Sequence, residues 1–211
     1  MAGLYNLRPV GSSGPAAKSV LKVQRFILEA DGSLKTPDGF SIAIDRVDDQ
    51  KVSVTHLVPH VIRLELPRGD TIGIKIVYSS HCWSRRHDPT SDPGDVMLIM
   101  DGNAPRVFDI GRFANSRHLP DFLSGLASHH LYWTPSDRNY GLYNATTIVE
   151  GRAYTAFFTL RKDRGKIDGA RHSLVMRVES AYHAPQPSKG MRVKAAAAID
   201  AALRGTRLKF R

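Results

Sequence analysis

Along much of the chain apolar and polar residues alternate at the spacing of strands rather than helices. Ile72, Ile74, Ile76 and Tyr78 occupy every second position of the run 71–78. Successive side chains of a strand point to opposite sides, so these four share one face, the one expected to be buried. A second apolar run covers 61–66, and Pro67-Arg68-Gly69-Asp70 between the two predicts a hairpin. Similar patterns predict strands over 20–30, 40–47, 130–133, 140–145, 153–160 and 173–182, with a short one over 97–100. In the last long run Leu174, Met176, Val178, Ser180 and Tyr182 fall on one face by strict alternation.

Helical spacing occurs in two places. Leu119, Phe122, Leu123 and Leu126 predict a short amphipathic helix over 119–127. Ala195, Ile199, Ala202 and Leu203 predict another over 191–203, with Gly205 where a helix-ending left-handed residue belongs. The expected class is α+β: mainly antiparallel sheet, a short central helix and a C-terminal helix. Gly, Ser, Pro and Ala dominate 1–19, which reads as a flexible arm. Residues 20–118 read as a β-rich part whose stretch 79–118 is loop-rich, broken by Asp88-Pro89 and Asp92-Pro93-Gly94. Residues 119–211 read as a basic α+β part packed with the former as one compact unit.

Charge sharpens this division. Residues 1–150 hold 16 Lys or Arg and 16 Asp or Glu, whereas 151–211 hold 14 and 4. The whole net charge of +10 therefore lies in the last 61 residues. A basic segment on a neutral body points to a polyanionic partner: RNA, DNA, an acidic protein or a membrane surface. It also fits a solvated basic face that aids solubility. The single cysteine, Cys82, excludes an intrachain disulfide. No run has signal-peptide or membrane-span character, so a cytoplasmic protein without membrane association is expected.

Three stretches could carry chemistry. Tyr78-Ser-Ser-His-Cys-Trp-Ser-Arg-Arg-His87 follows a strand. His81 there is a candidate general acid or base, and Arg85 and Arg86 are candidate phosphate contacts. A packed Cys82 and Trp83 beside an ordinarily bonded His81 explains the same residues. His81, Cys82 and His87 match no zinc spacing, so no metal is expected. The second stretch ends the last strand, where Ser180 and Tyr182 could bond a phosphate or stack on a base. The third is Arg161–Arg171, read as a basic turn. Its Arg161, Lys162, Arg164, Lys166 and Arg171 could contact successive phosphates without reading sequence, or form a solvated tip. Glycine-rich nucleotide loops, a nucleophile elbow and His-Glu-x-x-His are absent, and no cofactor is expected.

Tyr78-Ser-Ser-His-Cys-Trp83, Leu119-Pro120, Val178-Glu-Ser-Ala-Tyr182 and Leu203-Arg-Gly205, in this order, resemble a group of uncharacterised bacterial proteins found near mobile elements, over most of 40–211. Separately, helix, strand meander and terminal Ser180-Ala181-Tyr182 over 118–185 resemble the ribonuclease-toxin fold group of barnase, colicin nucleases and RelE-type toxins. That likeness implies Ser180 and Tyr182 as positioning groups of a metal-independent ribonuclease. The basic residue and histidine of such sites have no unambiguous counterpart here. The reading is an RNA-acting protein, with His81 as acid or base and Arg161 holding phosphate. The alternative is a non-catalytic nucleic-acid-binding or protein-interaction protein using the basic C-terminal surface.

Overall fold

The computed structural model describes residues 4–8, 24–28, 34–35, 55–67, 69–92, 98–101, 104–134, 142–184, 190–206 and 208. These form two compact units. Residues 1–58 and 83–114 make the first, and 59–82 and 115–211 the second. The class is the expected one, a mainly antiparallel sheet structure with short helices and a C-terminal helix.

The first unit holds a six-stranded antiparallel sheet. Its strands are β1 (Leu4–Arg8), β2 (Gln24–Leu28), β3 (Leu34–Lys35), β6 (Ser84–Arg86), β7 (Leu98–Asp101) and β8 (Ala104–Phe108), in the order β3-β2-β1-β7-β8-β6. β1 lies within the stretch read as a flexible arm, because pairing with β2 and β7 outweighs its glycine-rich surroundings. Likewise β6, β8 and α1 (Ile110–Ser116) order much of the stretch read as loop. The strand expected over 40–47 lies outside the described residues.

The second unit is built on seven strands. These are β4 (His60–Glu65), β5 (Thr71–Tyr78), β9 (His130–Thr134), β10 (Leu142–Val149), β11 (Arg152–Ile167), β12 (Ala170–His183) and β13 (Met191–Lys194). Their order is β13-β9-β10-β11-β12-β5-β4. Every pairing is antiparallel except β5 with β12, where Leu174 faces Ile74 and Val178 faces Tyr78. This ladder crosses the boundary at 118/119: the β4–β5 hairpin completes a sheet whose other strands come 50 or more residues later.

One side of this sheet is core. Ile62, Leu64, Ile74, Ile76, Tyr154, Phe158, Leu174, Met176 and Val178 are all buried. The helices α2 (Leu119–Ser124) and α3 (Ala195–Arg204) meet β4, β11, β12 and β13. Pro120 stands in the first turn of α2, where a missing N–H costs nothing. Leu119, Phe122 and Leu123 are buried, as is Leu126 in the single 3-10 turn that follows. The helix expected over 191–203 begins four residues later, because Met191–Lys194 first pairs with β9. Ala195, Ala198, Ile199 and Ala201 form its buried side. Gly205 ends it at φ 66°, with the Thr206 N–H donating to Ala201 O at 2.9 Å.

Candidate functional site

The side of the sheet away from this core is partly exposed, with Asn144, Thr155 and Thr159 buried on it. It gathers five of the ten residues singled out in the sequence: Arg161, Lys166, Arg171, Ser180 and Tyr182. Strict alternation placed Ser180 and Tyr182 on the face of Leu174, Met176 and Val178. They lie on the other face. Phe158 pairs with Val178 but Phe157 pairs with Ser180, so Glu179 is an extra residue in β12. Such a bulge exchanges the two faces for everything beyond it. Ala181 then takes the core position, fully buried, while Ser180 and Tyr182 join Phe157 on the outer face. The Phe157 and Tyr182 rings stack at 5.4 Å and 20°.

The same face carries charge. Arg161 pairs with Val175, Arg177 with Thr159, and Lys75 of β5 with Val175, so all three cations stand on the side of Phe157. Arg161 and Arg177 are exposed. Arg177 pairs with Glu179 at 3.2 Å, across the bulge.

Arg161–Arg171 is not a turn. β11 continues to Ile167, and the connection is the two-residue turn Asp168-Gly169, both at positive φ (49° and 80°). Those angles suit the right-handed twist of a hairpin. Lys166 pairs with Arg171, continuing the outer row, whereas Lys162 pairs with Leu174 on the core side. Between them Asp163 and Arg164 form a second irregularity. His172, buried, lies over Gly165: a Cβ there would come within 2.8 Å of its Cε1. Its Nε2 stands 3.3 Å from Asp163 Oδ2. A Cβ on Gly73 would meet the Arg171 carbonyl oxygen at 2.2 Å, so β12 passes close over β5 at this point.

His81 reaches the same end of the sheet. Beyond β5 the Ser79 N–H donates to Val178 O at 3.0 Å and its hydroxyl to Glu179 O at 2.5 Å. The His81 N–H donates to Ser79 Oγ at 3.2 Å. The 3-10 turn Ser80–Cys82 is thus tied to the bulge beside Ser180, and His81 is half-buried there. Cys82 and Trp83 are both buried. Burial, and secondarily Cys82, pushes the Tyr78 hydroxyl well above its ordinary pKa, so it stays a neutral phenol.

Arg85 and Arg86 belong to the first unit and have different surroundings. The Arg85 guanidinium is held by both oxygens of Asp92, and its Nε lies 3.7 Å from Asp109. The hydrogen bonds from Arg85 bring the Asp92 carboxyl down to about 2. Arg86 is exposed. Among the described residues no three His, Cys, Asp or Glu side chains converge as metal ligands would.

Lys75, Arg177 and Glu179 were not singled out in the sequence as site residues. The adjacent Phe157 and Phe158 carried a legible signal, since neighbouring aromatics on a strand cannot both face the core and one of them is left for the outer face.

The family comparison covers all of the second unit's strands and leaves out β1, β2 and β3 of the first. The YjaZ family model matches residues 42–203. The chain belongs to the YjaZ family. No curated protein and no solved structure matches it. The matched span of this YjaZ-family chain includes β4, β5 and every strand from β6 to β13, so the bulge and the basic hairpin both lie inside it.

Proposed function

We propose that this YjaZ-family protein acts on RNA, which it binds on the outer face of the β11–β12 hairpin. The observation that carries the reading is the one-sided row of Arg161, Lys166, Arg171 and Arg177, continuous with the stacked Phe157 and Tyr182. Cations hold phosphates without regard to sequence, and aromatic faces accept bases of any kind. A cytoplasmic setting suits the lone, buried Cys82. The test is binding of RNA by the purified protein at increasing salt. Strong binding at low salt that weakens steeply is expected; salt-independent or absent binding ends the proposal.

A second reading, metal-independent cleavage, is favoured by the tie between the His81 turn and the bulge beside Ser180. In such cleavage a base removes the 2′-hydroxyl proton and the oxygen attacks the neighbouring phosphorus. An acid then protonates the departing 5′ oxygen while a cation stabilises the phosphorane. His81 is the acid or base of this reading, Arg161 the phosphate holder, and Ser180 and Tyr182 the positioning groups. RNA incubated with the protein and a chelator is then cut, and His81→Ala removes cutting but not the fold. Uncut tRNA, mRNA and ribosomal RNA leave the non-catalytic binding protein as the answer.

A further inference from the structure

The charge on the hairpin is arranged for one kind of occupant. We propose that the outer face takes single-stranded RNA, its phosphates running along the row from Lys166 and Arg171 past Arg161 to Arg177, and a base stacking at Phe157 and Tyr182. This rests on the RNA-binding reading above and deepens it.

Three features of the hairpin favour a single strand over a duplex. The first is sidedness. Of the Lys and Arg residues in the β11–β12 ladder, Arg161, Lys166, Arg171 and Arg177 share the outer side and Lys162 stands on the core side; Arg152, on the core side too, pairs with β10 instead. A ribbon inserted into a duplex groove meets phosphate chains along both flanks, and cations on both sides would serve it. A strand lying flat on one face meets one row only.

The second is the shape of the alternative. The A-form major groove is deep and too narrow for side chains to read, and its shallow minor groove presents bases that are already stacked on one another. A duplex would thus leave the Phe157–Tyr182 pair without a base to receive. Unstacked bases of a single strand have free faces, and base–aromatic stacking is the usual contact in such grooves.

The third is length. From Lys166 to Phe157 there are nine residue steps along β11, interrupted by the irregularity at 163–164. At ~3.3 Å per step the row spans roughly 25–30 Å. That accommodates about five nucleotides, within the ~4–16 seen for single-strand sites.

The experiment uses the full chain in chelator and 2′-O-methyl RNA probes, which lack the hydroxyl that cleavage requires. Fluorescence anisotropy compares a ten-nucleotide single strand with a blunt duplex of that strand. The single strand is expected to bind at least tenfold tighter. Tyr182→Leu, which keeps an apolar side chain but removes the ring, should weaken single-strand binding about tenfold and leave duplex binding and the salt slope unchanged. Arg161→Gln with Lys166→Gln and Arg171→Gln should lower the salt slope instead. Circular dichroism checks that each variant folds; if Tyr182→Leu does not, Tyr182→Phe, which keeps the ring, must bind the single strand as the wild type does. Equal or tighter duplex binding overturns this inference while RNA binding itself stands. Failure to bind either probe overturns both.

Discussion

Phe157 and Phe158 are neighbours in sequence and belong to different regions of the molecule. Phe158 is fully buried on the core face, opposite Val178 and 6.1 Å from the Tyr143 ring. Phe157 is half-buried on the outer face, stacked on Tyr182. The core face is apolar and continuous from β4 to β11, so any change there is felt as stability. The outer face mixes cations, hydroxyls and one aromatic pair, a composition that packing does not require. One extra residue, Glu179, decides on which of the two faces Ser180 and Tyr182 stand.

The largest effect separating the faces should come from the phenylalanines. Phe158→Ala should cost about 3–5 kcal/mol, the usual range for a buried phenylalanine. Phe157→Ala should cost clearly less, and it should weaken RNA binding, which denaturant melts and anisotropy measure side by side. Equal destabilisation by both changes would remove the distinction between the faces.

Next comes the close approach at Gly73. The Cβ of Gly73→Ala would stand 2.2 Å from the Arg171 carbonyl oxygen, a backbone atom that cannot turn aside. A loss of about 1–3 kcal/mol is expected, the usual cost of overpacking. An unchanged melting temperature would show that β12 does not pass so close over β5.

A smaller effect is expected in the first unit, from acid. The folded-state pKa of Asp92, about 2, lies below its ordinary value. A depressed carboxyl adds stability that is fully present above the unfolded pKa near ~3.9 and is lost as pH falls through about 2. Stability measured between pH 5 and 2 should therefore fall less steeply in Asp92→Asn than in the wild type. Parallel curves would contradict the Arg85–Asp92 pairing.

The smallest effect should come from the exposed pair across the bulge. Arg177→Gln and Glu179→Gln should each change stability by less than about 1 kcal/mol, as exposed ion pairs do. Their influence on RNA binding should differ in sign: loss of the cation weakens it and loss of the carboxylate strengthens it.

Much of the architecture was legible in the sequence, and the exceptions have common causes. The β4–β5 hairpin, α2 and the Gly205 cap follow from local signals: alternation, helical spacing and a glycine stop. β13 was missed because its pairing partner β9 lies far along the chain, and β1 because its glycine-rich surroundings read as an arm. Arg161–Arg171 read as a turn because Lys, Asp, Arg and Gly disfavour strands locally, yet cross-strand pairing extends β11 to Ile167. Ser180 and Tyr182 were identified, but on the wrong face, since alternation cannot register an extra residue that only pairing with Phe157 reveals. Lys75 and Arg177 were invisible as site residues because only cross-strand pairing brings them beside Arg161: the parallel β5–β12 ladder for Lys75 and the antiparallel β11–β12 ladder for Arg177.

The central claim is that the outer cation row holds RNA, and the salt dependence of binding tests it most directly. For wild type and the Arg161→Gln/Lys166→Gln/Arg171→Gln variant, log affinity for one single-stranded RNA is plotted against log salt. Each phosphate contact contributes about 0.7 to the slope for a single strand. The account predicts a slope shallower by about 2 in the triple variant. Identical slopes would contradict it, and would place the phosphates elsewhere on the molecule.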